Sequence, residues 1–265
     1  MPFLKIRNST SPKISVLMCV YNGEEYLSES IESVLNQTYS NIEFVICDDG
    51  SNDKTKTILS YYKKIDDRIV LLTKSNTGLT DSLKYASKFC SGEWIARQDA
   101  DDISNISRLQ KQLDYCIKKN VDFSTSQYVR SNGKSLNFDV DLAFHLRVLK
   151  YGNINVHGTF FFKSKIFKDV SYNSECRVAQ DFDFILQVIK KGFRCGMCPE
   201  ELYTLRIHNN SLSAKNSIAQ TDSVIKSLER HNISSAYFIE NKKPILKYTF
   251  KIIKQIELMF LSLNK

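Results

Sequence analysis

Two hydrophobic patterns alternate along the first hundred residues. Continuous apolar runs, rich in β-branched residues, predict strands that are buried on both faces, at residues 14–20, 42–47, 69–72 and 93–96. Between these runs, apolar residues recur at helical spacing and predict helices at residues 24–36, 53–64 and 78–90. Strands that alternate with helices indicate an α/β fold with a doubly wound, mainly parallel sheet.

The second half is less regular. Its patterns predict helices at residues 108–119, 142–149 and 181–190, and strands at residues 122–129, 159–162 and 202–207. We expect this half to extend the same sheet rather than to form an independent core.

Each predicted strand of the first half ends in polar residues. The ends read Tyr21-Asn22-Gly23, Asp48-Asp49-Gly50-Ser51, Asn76-Thr77-Gly78 and Gln98-Asp99-Ala100-Asp101-Asp102. In open α/β sheets, ligands bind beyond the carboxyl ends of the strands. The pattern therefore predicts a binding site along this rim.

The fourth strand end carries Asp99 and Asp101, two residues apart. In an extended segment this spacing puts both carboxylates on one side, where they repel each other unless a cation lies between them. Mg²⁺ and Mn²⁺ favour oxygen ligands, so the pair suggests a metal–diphosphate site. The alternative is a solvated acidic turn, or a cap for the helix that begins near Arg108.

Familiar motifs of other enzyme classes are missing from the sequence. It contains no G-x-G-x-x-G after the first strand, no G-x-x-x-x-G-K-[ST] and no H-E-x-x-H. Dinucleotide oxidoreductases, P-loop enzymes and zinc proteases of that type are therefore disfavoured. Seven irregularly spaced cysteines, no signal peptide and no long apolar run predict a cytoplasmic protein.

The positive charge is concentrated near the end of the chain. Residues 242–265 hold six lysines and one glutamate, and so carry +5 of the net charge of +8. Their apolar residues share one helical face, which is typical of a helix lying in an anionic membrane interface. A helix packed on the domain or on a partner is the alternative. Nucleic-acid binding is not expected, because the lysine excess lies mainly in this apolar-faced tail.

Several motifs together resemble family 2 glycosyltransferases of the GT-A fold, the inverting type common in bacterial surface-polysaccharide assembly. The specific matches are ISVLMCVYNGEEYLSESIESVLNQTYSNIEFVICDDGSNDKT, NTGLTDSLKYAS and GEWIARQDADDIS, followed by Arg108-Leu109. Weaker matches are VHGT at 156–159, QDFD at 180–183 and YTLRIH at 203–208. Together they span roughly residues 12–213.

The resemblance implies a role for each polar strand end. Tyr21 would contact the nucleotide base, and Asp49 would accept a hydrogen bond from an N–H of uracil. Asn76 would also bind the donor. Asp99 and Asp101 would bind the donor and its metal ion, with Asp101 the stronger candidate for direct metal contact. Asp102, in the same cluster, would support the loop.

The resemblance also assigns residues in the second half. Asp181 would be the catalytic base that takes a proton from the acceptor hydroxyl, with Asp183 as the second candidate. His208 would complete the metal site, and Arg206 would pair with phosphate. Asp181 could instead be an acid that stabilises a helix N-terminus. The family usually has Glu before this aspartate, whereas this chain has Gln180.

The function implied is a Mn²⁺- or Mg²⁺-dependent, inverting hexosyltransferase. It would move a hexose or N-acetylhexosamine from a nucleotide sugar, most simply a UDP-sugar, to a saccharide acceptor such as a lipid-diphosphate-linked O-antigen or capsule intermediate. Q-x-x-R-W, the motif of processive relatives, is missing, which favours one sugar per encounter. A non-catalytic sugar- or nucleotide-sugar-binding protein of the same fold is the alternative.

The resemblance also divides the chain. Residues 1–105 would form the nucleotide-sugar-binding half, and residues 106–215 the acceptor-binding and catalytic-base half of the same domain. Residues 216–265 would be a basic, helical tail on the cytoplasmic face of the inner membrane.

Overall fold

The computed structural model describes residues 11–134, 144, 149, 155–208 and 217–236. The strands are β1 (Ile14–Val20), β2 (Ile42–Asp48), β3 (Ile69–Thr73), β4 (Trp94–Arg97), β5 (Ile103–Ser104), β6 (Phe123–Arg130), β7 (Phe161–Lys163) and β8 (Cys195–Leu205). The helices are α1 (Leu27–Leu35), α2 (Thr55–Ile65), α3 (Leu79–Ala86), α4 (Arg108–Lys119), α5 (Gln180–Lys190) and α6 (Ser217–Arg230). Short 3₁₀ turns cover Ser87–Phe89, His157–Thr159 and Ser164–Lys168.

All eight strands belong to one sheet, in the order β3-β2-β1-β4-β7-β6-β8-β5. Strands β1, β2, β3 and β4 pair in parallel, as do β6 and β8, whereas β5 and β7 run antiparallel to their neighbours. This confirms the predicted α/β, GT-A-like fold with a mixed, mainly parallel sheet. It also confirms that the second half extends the sheet of the first.

Helices cover both faces of the sheet, which explains why β1, β2 and β4 are buried along their whole length. Alternate residues of β1 point to opposite sides, so Ile14 and Val16 pack in one apolar layer and Leu17 in the other. The first layer includes residues of α1, α2 and α4, and the second includes residues of α3, α5 and α6. The sheet is therefore the rigid support on which the loops at its edge are held.

Three strands differ from those predicted from the sequence. β5 was not predicted, because a two-residue strand has too few positions to show a period. β8 begins seven residues earlier than expected, and its register with β6 shifts around Gln127. The strand predicted at 159–162 is the 3₁₀ turn His157–Thr159 followed by β7.

Two predicted segments cannot be compared with the structure. The helix at 142–149 lies, apart from residues 144 and 149, outside the described residues, and the basic tail at 242–265 lies entirely outside them. Within the described part of the chain, no helix combines the length and apolarity needed to cross a bilayer.

Candidate active site

The polar loops that follow β1, β2, β3 and β4 enclose a cleft of about 700 Å³. This volume is within the range of small-molecule and cofactor sites. Six of the eight predicted site residues line it: Tyr21, Asp49, Asn76, Asp99, Asp101 and His208. The other two, Arg206 and Asp181, are not among its lining residues. The predicted rim is thus a real concavity that brings together residues from both halves of the chain.

Asp49 lies at one side of the cleft and is 3% exposed. Its Oδ1 accepts hydrogen bonds from Lys74 Nζ (2.5 Å) and the Thr77 N–H (3.0 Å), and its Oδ2 accepts one from the Gly78 N–H (2.8 Å). Burial alone would raise the pKa of Asp49, but these donors lower it overall. Asp49 is therefore an ionised, fixed acceptor, and Oδ2 has a further lone pair available to a ligand N–H.

Tyr21 lies beside Asp49 in the cleft lining and is 48% exposed. An exposed aromatic ring at the rim of a cleft offers a flat apolar surface on which a base can stack. Asn76 comes from the loop after β3 and lines the same cleft. The three residues therefore share a cleft, and their contacts with a nucleotide stay predictions.

Asp99 is paired with a cation that we did not assign from the sequence. The Arg97 guanidinium is 1% exposed, and its Nη2 donates to Asp99 Oδ1 at 2.7 Å. Burial raises the pKa of Asp99, and the charge of Arg97 partly opposes that rise. Arg97 thus reduces the repulsion between the carboxylates of this cluster. Because Asp99 is paired with Arg97, Asp101 is the carboxylate more available to a ligand.

Asp99 and Asp101 lie in a turn, Asp99–Asp102, which we call the acidic turn. The expectation of an extended segment is therefore wrong. The Asp102 N–H donates to the Asp99 carbonyl at 3.4 Å, and Gln98 Nε2 donates to the Asp102 carbonyl at 3.0 Å. β4 ends at Arg97, which is also its last residue paired with β1. Both carboxylates nevertheless line the cleft.

Asp102 is 2% exposed and faces away from solvent. Its Oδ1 accepts the Arg206 N–H at 2.7 Å, and this contact and the Tyr203 hydroxyl both lower the pKa of Asp102. Burial raises the pKa of Asp102 well above its usual value, and the charges of Asp99 and Asp101 raise it further. Asp102 therefore joins the acidic turn to β8, a role of loop support.

His208 reaches the acidic turn from beyond the end of β8. Its Nε2 lies 2.9 Å from Asp101 Oδ2, and its ring centroid is 4.9 Å from that of Tyr26. The Nδ1 atom of His208 is buried and has no hydrogen-bond partner among the described residues. Asp101 and His208 thus put a carboxylate and an imidazole side by side in the cleft.

Arg206 is engaged outside the cleft. Its Nη2 donates to Glu29 at 2.7 Å, and its Cζ lies 4.4 Å from the ring centroid of Tyr26. The contact with Glu29 uses one of the five N–H donors of the guanidinium. The predicted contact of Arg206 with a phosphate stays a prediction.

Asp181 lies in the first turn of α5 and is partly buried. The nearby Tyr172 phenol has a pKa raised by burial and further by the charges of Asp99 and Asp181. The charges of both carboxylates therefore act on the same buried ring. The catalytic role of Asp181 stays a prediction.

Asp183, the second candidate base, is 1% exposed and bound into the packing of α6. Its Oδ1 accepts Arg230 Nη1 at 2.9 Å and lies 3.3 Å from His231 Nε2, and its Oδ2 accepts Gln187 Nε2 at 2.8 Å. These contacts hold α5 and α6 together. Asp183 is therefore a structural carboxylate, and Asp181 is the better candidate.

The sequence reasoning missed the basic and aromatic partners of the predicted acids. These partners are Tyr26, Lys74, Arg97 and Tyr203. Only Arg97 gave a usable signal, because an arginine within an apolar strand needs a buried counter-charge. The others are recognised only when distant segments meet.

The sequence profile described as Glycosyl transferase family 2 matches residues 15–184, more than half of the chain. The chain belongs to this family. Among its relatives, the O-antigen biosynthesis glycosyltransferase WbnJ of Escherichia coli is 32% identical over 211 residues, which cover 75% of this chain and 81% of WbnJ. The Escherichia coli UDP-Glc:alpha-D-GlcNAc-diphosphoundecaprenol beta-1,3-glucosyltransferase WfgD is 38% identical over 124 residues, which cover 46% of this chain and 48% of WfgD.

Solved structures share the fold of this family 2 glycosyltransferase. Staphylococcus aureus TarS, residues 1–349 in complex with UDP-GlcNAc, superposes with a TM-score of 0.69 at 18% identity, covering 86% of this chain and 72% of that one. The Pyrobaculum calidifontis mannosyltransferase PcManGT, in complex with GDP-Man and Mn²⁺, gives 0.67 at 17% identity, covering 83% and 64%. At these identities the likeness shows the fold alone.

Proposed function

We propose that this family 2 glycosyltransferase is a metal-dependent, inverting hexosyltransferase. It moves a hexose or N-acetylhexosamine from a UDP-sugar to a lipid-diphosphate-linked saccharide in surface-polysaccharide assembly. The observation that carries the proposal is the cleft itself, which is lined both by Tyr21 and Asp49, after β1 and β2, and by Asp101 and His208, after β4 and β8. Such a site offers groups that can bind a base and groups that can bind a metal ion.

The relatives support the donor and the acceptor. TarS binds UDP-GlcNAc, and WfgD transfers from UDP-Glc to a sugar on diphosphoundecaprenol. The ionised Asp49, fixed by Lys74, would accept the N–H of uracil, and Tyr21 would stack on the ring. The remaining length of the cleft, towards Asp101, would hold the diphosphate and the sugar.

The residues fit a divalent cation that the diphosphate also binds. Asp101 Oδ2 and His208 Nε2 are 2.9 Å apart, and the described residues contain no group of three or more His, Cys, Asp or Glu side chains able to hold a metal alone. A two-ligand site suits Mg²⁺ or Mn²⁺ when substrate phosphates supply further oxygens. The Mn²⁺ in PcManGT is consistent with this choice. When bound, the ion would neutralise charge on the nucleotide diphosphate leaving group.

The protein would supply the remaining chemistry. Asp181 would take the proton from the acceptor hydroxyl as that oxygen attacks the anomeric carbon on the face opposite the leaving group. The bond to the diphosphate oxygen breaks as the new glycosidic bond forms, so the configuration inverts. Arg97 would hold Asp99 in place on the donor side throughout.

Asp101→Asn tests the metal role in this proposal. With a panel of nucleotide sugars and lipid-diphosphate acceptors, mass spectrometry should detect product from the wild type with Mn²⁺ and none with EDTA. We expect the variant to lose about 100-fold or more in turnover and to need a higher Mn²⁺ concentration, because a neutral amide is a weaker ligand for a hard cation.

Asp114→Asn, an exposed carboxylate on α4 that does not line the cleft, is the matched control. It should retain wild-type turnover. Full activity of Asp101→Asn, or nucleotide-sugar transfer that EDTA does not affect, would reject the metal-dependent mechanism. Tight donor binding with no product from any acceptor would instead favour a non-catalytic binding protein.

The membrane part of the proposal concerns residues 242–265 and places the enzyme on the cytoplasmic face of the inner membrane. Liposomes that contain anionic lipid should sediment the full-length chain and leave a truncation to residues 1–241 largely in solution, because the six lysines of the tail are lost. Neutral liposomes serve as the control. Equal sedimentation of both proteins would show that the tail does not bind membranes.

A further inference from the structure

The hydroxyl of Tyr203 lies at the centre of the acidic turn. Tyr203 is 1% exposed, and its hydroxyl accepts the Asp99 N–H at 3.1 Å. The same hydroxyl also acts on the Asp102 carboxylate, whose pKa it lowers. A phenol can accept and donate at once, so one side chain on β8 can act on the turn at both of its ends.

The Asp102 carboxylate extends this connection to the cleft. It accepts the Arg206 N–H at 2.7 Å, which fixes the backbone just after β8 ends. Two residues further on, His208 Nε2 meets Asp101 Oδ2. The geometry of the Asp101–His208 pair therefore depends on how the turn and the end of β8 are held together.

The position of the Tyr203 ring is tightly restricted. A Cβ atom on Gly158 would lie 2.0 Å from the Tyr203 hydroxyl oxygen, so only glycine leaves room for it. Gly158 also donates its N–H to the Asp99 carboxylate. The buried Arg108 guanidinium lies over the ring, with its Cζ 5.0 Å from the centroid, and donates to the Arg97 carbonyl at 2.9 Å.

We propose that Tyr203 is a positioning residue whose hydroxyl sets the spacing between Asp101 and His208 and thereby the affinity of the cleft for a divalent cation. Without the hydroxyl, the Asp99 N–H would be unpaired and the buried Asp102 carboxylate would lose a donor. Buried polar groups left without partners are costly, so the turn would relax to find new ones. This inference rests on the proposed function, because it concerns the same metal-binding pair.

Tyr203→Phe tests the inference directly, since it removes only the hydroxyl. Titration with Mn²⁺ in the presence of UDP, followed by electron paramagnetic resonance of the free ion and corrected for the Mn²⁺ that UDP binds without protein, should give a dissociation constant about tenfold higher than that of the wild type. Tyr128→Phe is the matched control. Tyr128 is a buried residue of β6 that pairs with Tyr203 of β8, and it does not line the cleft. Its Mn²⁺ affinity should equal that of the wild type.

A thermodynamic cycle with Asp102→Asn separates positioning from general loss of stability. Once Asp102 is neutral, the further change Tyr203→Phe should raise the Mn²⁺ dissociation constant by less than it does in the wild type, because part of the effect of the hydroxyl acts through Asp102. Gly158→Ala, which displaces the hydroxyl rather than removing it, should weaken Mn²⁺ binding in the same direction. It provides a second measurement if Tyr203→Phe does not fold.

The possible results are distinct. Equal Mn²⁺ affinity of Tyr203→Phe and the wild type, or losses that simply add in the cycle, overturn the inference while the proposed function stands. A Tyr203→Phe protein that melts earlier but binds Mn²⁺ normally shows a merely structural tyrosine and also overturns it. A wild type that binds no Mn²⁺ even in the presence of UDP overturns the proposed function and the inference with it.

Discussion

Asp181→Asn is expected to lower kcat by about 10²- to 10⁴-fold, the usual contribution of a general base. The KM for the nucleotide sugar should change little, because Asp181 is not among the residues that line the donor cleft. The amide keeps the size of the side chain but does not take the proton of the acceptor hydroxyl. Steady-state kinetics with donor and acceptor varied separately measure both quantities.

Asp183→Asn is the control for Asp181→Asn, since it lies two residues away on the same helix. Asp183 pairs with Arg230 and approaches His231, so its change should lower the free energy of unfolding. The folded variant should retain most of its kcat. If Asp183→Asn abolished turnover in folded protein while Asp181→Asn did not, Asp183 rather than Asp181 would be the catalytic base.

Arg97→Met is expected to lower the free energy of unfolding by about 3–5 kcal/mol, the usual cost of leaving a buried charge without its partner. Asp99, whose side chain is 25% exposed, would lose the guanidinium that binds its Oδ1. The second change Asp99→Asn should recover part of that stability, because it removes the uncompensated charge. Urea unfolding of the single and double variants measures both effects.

An exposed ion pair provides the comparison for Arg97. Lys111 pairs with Glu200, and their side chains are 44% and 49% exposed. Lys111→Met should therefore cost only about 0–1 kcal/mol. A loss of less than about 1 kcal/mol for Arg97→Met, or a double variant no more stable than the single, would show that Asp99 is not held by this arginine.

The sequence predicted those parts of the fold that repeat a local pattern. β1 and α4 have the predicted bounds, because a seven-residue run that is apolar except for Ser15 predicts β1 and a regular amphipathic period predicts α4. β5 could not be predicted, since its two residues are strand only through pairing with β8. The 3₁₀ turn before β7 was missed because a three-residue turn has too few positions to show a period, and Thr159 directly precedes an apolar run.

The site residues, too, were predicted where the signal is local in the sequence and missed where distant segments meet. Acids at strand ends were visible in the sequence, and the resemblance to a family added His208 and Asp181. Lys74 was not found as the partner of Asp49, since the two are 25 positions apart and nothing in a loop of mixed polar residues marks the pairing. The Asp99–Arg97 pair was missed although both residues are in one short motif, because we assigned the balancing charge to a metal alone.

The pairing of β5 with β8 has a consequence for synthesis of the chain. The acidic turn comes between β4 and β5, but β5 is held by residues about a hundred positions later. β4 likewise pairs with β7 at Phe161–Lys163, which is synthesised later. Contacts of such long sequence separation form slowly. A ribosome that has released only residues 1–105 has therefore made every donor-side aspartate, but the fold that arranges them awaits the emergence of β8.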